Sequence, residues 1–187
     1  AALMNDTVLA RRYLDRAQSD VARVGGQLVG LFATVRSIVE VEECTPEAAK
    51  AIEALAIIDD PSPFWPYILL AKTRYAELIG RPVESLACIE AAELLHSPEE
   101  GSFAYDVLVA RRVEALIVAT QVSSARAVYE QRAMDAPHCR VAYMGLLCGE
   151  RNFAAIDQEL ASLLTAPNLT AAQRAQAETF SALGGLV

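Results

Sequence analysis

Lysine is almost missing from this chain. Only Lys50 and Lys72 occur in 187 residues, and 16 basic residues face 24 acidic ones for a formal charge of −8. Nucleic-acid binding needs clustered basic side chains that neutralise phosphates, so direct binding to nucleic acid is not expected, nor is attraction to an anionic membrane. Long apolar runs are missing too. A membrane helix needs about 18 consecutive apolar residues, whereas the nearest stretch, 27–35, is short and runs into Arg36. The start carries no basic segment ahead of an apolar run, so no signal peptide is legible, and a cytoplasmic location is expected. Position 1 is not Met, which reads as a segment excised from a longer chain.

The residues of common catalytic sites are equally scarce. Histidine is confined to His96 and His138, and aromatics make up 6%. The sequence contains no P-loop, no G-x-S-x-G and no H-E-x-x-H. The adjacent acids Glu42-Glu43 and Asp59-Asp60 read as solvated helix ends, not acid–base pairs. Arg111-Arg112 reads as a solvated pair neutralised by Asp106 or Glu114. No enzyme activity, catalytic residue or cofactor is expected. The four cysteines, Cys44, Cys88, Cys139 and Cys148, form no C-x-x-C pair. They read as unpaired, buried thiols of a reducing compartment. His138-Cys139 with Cys148 is the one grouping that hints at a metal, but its spacing is too open, so no metal is expected.

What is present is apolar and helical. The apolar share is 53%, mean hydropathy is +0.25, and roughly a sixth of the residues is alanine. Alanine favours helices and lets them approach closely. The length suits one domain with a real core. Breakers and caps predict helices over 6–24, 62–80, 82–96, 103–120, 124–136, 138–148, 152–166 and 170–184. Another carries Leu28, Leu31, Phe32, Val35, Ile38 and Val39 at one-face spacing, and a further one opens at Thr45-Pro46-Glu47. No segment alternates with period two over a strand's length.

Three helix pairs share a layout. Phe64 to Ala71 leads to Gly80 and then to Ser85, Ile89, Ala92 and Leu95. Val141-Ala142 leads to Gly149 and then to Ala154, Gln158, Ala161 and Leu164. Between them, 103–120 leads to Ala125, Tyr129 and Ala133. Gly80 and Gly149 stand 69 residues apart, close to two 34-residue units. The small position opening each second helix is Ser85, Ala125, then Ala154, at unequal steps. A weaker pair spans 27–58.

This layout resembles the tetratricopeptide repeat family. The resemblance implies an all-α fold of about nine or ten helices in antiparallel pairs, wound into a right-handed superhelix. Its expected organisation is one domain, 1–187, with an N-terminal helix (1–26), repeats (27–167) and a capping helix (168–187). It implies a concave groove that holds a protein segment or a small effector. The groove would be lined by Leu70, Arg74 and Glu77, then Ala110 and Glu114, then Cys139 and Tyr143, with Arg74, Glu114 and Tyr143 at one equivalent position. More narrowly, Leu69-Leu70-Ala71-x-x-Arg74 with Gly80-Arg81-Pro82-Val83-Glu84-Ser85-Leu86-Ala87 resembles the repeat region of MalT-type LuxR-family transcription regulators. That implies a signal-receiving segment. The alternative is a free-standing scaffold or secretion chaperone that holds a partner's segment.

Overall fold

The computed structural model describes residues 6–55, 65–95, 102–131, 135–167 and 169–184. These residues form ten α-helices and no strand: α1 (Thr7–Val24), α2 (Gln27–Glu42), α3 (Ala48–Ala54), α4 (Trp65–Leu78), α5 (Pro82–Leu95), α6 (Phe103–Val118), α7 (Val122–Gln131), α8 (Pro137–Gly149), α9 (Phe153–Leu163) and α10 (Ala171–Gly184). They gather into two compact units, Ala1–His96 and Ser97–Val187.

Local chemistry sets five of the ten helix starts. The Asp6 carboxylate accepts from the Leu9 N–H at 3.1 Å and opens α1. Ser102 accepts from Tyr105 N–H and opens α6, and Asn152 accepts from Ala155 N–H and opens α9. Pro137 sits at the first position of α8, where its missing N–H costs nothing. Thr170 and Gln173 satisfy each other's backbone N–H at 3.2 and 3.0 Å, a full capping box for α10. Each such cap contributes about 1 kcal/mol. Thr45 is not the cap expected of it. Its hydroxyl donates to the Glu40 carboxylate at 2.6 Å, and α3 starts later, after Glu47, with no side-chain cap.

One turn recurs four times. Cys44, Gly80, Thr120 and Arg151 are all left-handed, with φ of 51°, 72°, 60° and 60°. Each donates its N–H to the carbonyl three residues back: Val41, Glu77, Ile117 and Cys148, at 2.9–3.1 Å. The next residue in each, Thr45, Arg81, Gln121 and Asn152, donates to the carbonyl five back, at 2.8–3.0 Å. This double return is the Schellman closure of a helix end. It joins α2 to α3, α4 to α5, α6 to α7, and α8 to α9, so the weaker first pair is built on the same turn as the others.

The packing repeats with the turn. In the first unit α2 packs on α1, α3 and α4, and α4 also packs on α3 and α5. In the second, α6 packs on α7 and α8, and α8 also packs on α7, α9 and α10. Within each unit the leading first helix, α2 or α6, therefore meets both its own partner and the first helix of the following pair, as in helical repeats. The first core joins Ala10, Leu14, Ile38, Val39, Leu55, Ile68 and Ala71. The second centres on Val141, Met144, Leu147, Ile156, Leu163 and Ala177.

The last pair is registered two residues later than the sequence spacing indicates. Gly149 is the final residue of α8 and not the turn, and Arg151 takes the left-handed conformation. Five residues past the turn stand Ser85, Ala125 and Ile156, each 0% exposed, while Ala154 is exposed. Six residues before the turn stand Arg74, Glu114 and Gly145; Tyr143 is not their equivalent. Gly145 is small for a reason. A Cβ there would lie 3.3 Å from the Phe180 ring and 3.7 Å from Ile117, because α8 meets α10 and α6 at that point.

Candidate functional site

The first unit buries polar groups along α2, α4 and α5. Thr34, Ser37, Glu40, Thr73, Glu77 and Ser85 are all buried. The hydroxyls of Thr34, Ser37 and Thr73 donate to carbonyls three or four residues back in their own helices. Glu77 is held otherwise. Its carboxylate accepts from Ser85 Oγ at 3.2 Å and from Arg74 Nη1 at 2.9 Å. Arg74 also pairs with Glu42 on α2, at 3.6 Å. The Glu42 and Glu77 side chains are 9% and 2% exposed, so one partly exposed guanidinium bridges two carboxylates that are largely withdrawn from water. Such an array is expensive to desolvate and adds little net stability, while losing one partner costs much more.

A second array lies at the end of α2. Arg11 reaches from α1 to Glu40 at 3.2 Å and to Glu43 at 2.6 Å. Arg36 approaches Glu40 at 3.7 Å, and Thr45 completes its shell. Burial pushes the Glu40 carboxyl up, but the bonds from Arg11 and Thr45 and the charges of Arg11 and Arg36 outweigh it and hold it below the ordinary range. The reading of Glu42-Glu43 as a solvated pair is thus corrected. Both are ion-paired, and Glu42 is nearly buried.

In the second unit the titratable groups lie between α6 and α8 and between α7, α8 and α9. Cys139 is 1% exposed and its Sγ donates to the Asp106 carbonyl at 3.3 Å. Burial, aided by the charges of Asp106 and Glu114, pushes this thiol up to about 12. It stays protonated at neutral pH and has no nucleophilic character. Burial pushes His138 down, Arg111 adds to the effect and Glu114 opposes it, so protonation of the imidazole is disfavoured. Burial raises the Asp106 carboxyl, whose Oδ1 finds no hydrogen-bond partner among the described residues. Arg111 pairs with Glu114 at 2.8 Å, as the spacing suggests, but with side chains 13% and 18% exposed this is not the solvated pair expected.

Tyr129 and Tyr143 stack at 4.5 Å with their planes 8° apart. Arg126 lies 5.9 Å from the Tyr143 ring centre and holds Glu150 and Glu130. Burial, with the nearby Glu159 charge, pushes the Tyr129 phenol up to about 12. Arg140 ties α8 to α9 through Glu159 at 2.6 Å.

Comparison with protein-family models, curated proteins and solved structures returns no significant match.

The residues singled out in the sequence fall into two groups. Leu70, Glu77, Ala110 and Cys139 are buried. Arg74, Glu114 and Tyr143 are half-exposed, and each already holds a partner: Glu42 and Glu77, Arg111, and the Tyr129 stack. Sequence reasoning missed Glu42, Ser85, Arg11 and Glu40. Their partners lie on other helices or across a turn, and local spacing carries no signal of them. Asp59-Asp60 and His96 lie outside the described residues. The four cysteines are free, but of the four only Cys139 is buried: Cys88 and Cys148 are partly exposed, and Cys44 is exposed at a turn. Among the described residues no group of three His, Cys, Asp or Glu could hold a metal, and no helix is long and apolar enough to cross a membrane.

Proposed function

We propose that this chain is a non-enzymatic, tetratricopeptide-like binding domain, the signal-receiving segment of a LuxR-family transcription regulator. One observation carries the reading: four helix pairs closed by the same left-handed turn, whose first helices pack on one another within each unit. Stacked pairs of this kind present side chains from successive first helices to a peptide or a small effector and bring no chemistry of their own. The narrower assignment rests on the phrase around Leu69–Ala87. Arg74 on α4 serves recognition in the first unit, and Glu114 on α6 and Tyr143 on α8 serve it in the second.

The test is a metabolite library screened by thermal shift on the 187-residue chain, with hits titrated calorimetrically. Arg74→Lys and Glu114→Gln keep the packing while changing the polar contact. The expected result is a saturable ligand whose affinity falls about tenfold, near 1.4 kcal/mol, in one of the two variants. Sub-micromolar binding to duplex DNA at physiological salt, or ATP turnover by the chain, would contradict the reading.

A further inference from the structure

We draw no further inference here: the strongest candidate, the exposed apolar patch at the α1–α2 hairpin formed by Val24, Leu28, Val29 and Leu31, carries nothing because nothing in the structure shows what covers it.

Discussion

The two units share a turn and a packing pattern but differ in what they bury. The first buries Thr34, Ser37, Glu40, Thr73, Glu77 and Ser85; in the second, Gln173 is the one buried polar residue among those described. The second unit is held by apolar volume around α8, so its stability should track methylenes lost from that core. The first holds α2 against α4 and α1 partly by charge, so it should be sensitive to the loss of a partner. The contrast separates two duties of a repeat. The turn and the small contacts build the fold, and the polar array on α2 and α4 is a departure that the fold does not require.

The largest expected effect is in the second unit. Ile156→Ala removes a side chain that is 0% exposed and should cost about 2–5 kcal/mol, while Ala154→Leu at an exposed position should stay within about 0.5 kcal/mol. Chemical denaturation followed through hydrogen exchange of α8 and α9 amides measures both. Similar losses for the two variants would restore the register that the sequence spacing indicates.

Next comes the polar array. Arg74→Met takes the Arg74 cation away from Glu77, whose side chain is 2% exposed, and should cost about 2–3 kcal/mol. Adding Glu77→Gln should recover part of that loss. A double-mutant cycle on amide protection in α2 and α4 reads the coupling, and simple additivity would show that the array is no more than a surface pair.

The helix ends were largely legible because caps are local. Asp6, Asn152 and the Thr170–Gln173 box act within three residues, and Gly80 announces its own turn; Ser102, which also caps within three residues, was not singled out. The remaining turns were not legible. Cys44, Thr120 and Arg151 adopt a conformation that their side chains disfavour, and the packing of the joined helices holds them in it. With Gly149 nearby and Arg151 giving no signal, the last pair slipped by two residues, and Ala154 and Tyr143 slipped with it. Of the polar array, Arg74 and Glu77 were singled out, but as groove lining implied by the repeat resemblance and not as the ion pair they form. Glu42 was not, because its partner belongs to α4 and its neighbour Glu43 made it look solvated.

A smaller effect separates the turns themselves. Gly80→Ala has no atom within 4 Å to clash with, so its cost of about 1 kcal/mol is purely conformational. Thr120→Gly should act oppositely. It removes about 1–2 kcal/mol of left-handed strain and adds about 0.5–1 kcal/mol of chain entropy, for a small net gain. Melting temperatures that move the same way in both variants would break the equivalence of the two turns.

The smallest effect is a pH dependence. The Asp106 carboxyl is raised by burial, so the folded protein holds that proton more tightly than the unfolded chain does. Stability from this group is present below the ordinary carboxylate range and is lost as pH rises through the raised folded value. Asp106→Asn should therefore stabilise at pH 7, and the gain should shrink as pH falls below the ordinary value. Glu40, held below the ordinary range, works in the other direction: its contribution is present at neutral pH and is lost as acid takes the pH through its lowered folded value. Thermal melts of the wild type and Asp106→Asn from neutral to mildly acid pH check the first sign, and a gain that grows with acid would refute it.

The place of the last turn is decided by a paired melt of Gly149→Ala and Arg151→Gly. With residue 149 helical and residue 151 left-handed, alanine improves the end of α8, where its Cβ meets Val122 at an ordinary 3.5 Å, and glycine relieves the strain at the turn. Both variants should melt higher than the wild type, each by about 0.5–1 kcal/mol. If both melt lower, Gly149 is the turn residue and the four hairpins do not share one closure.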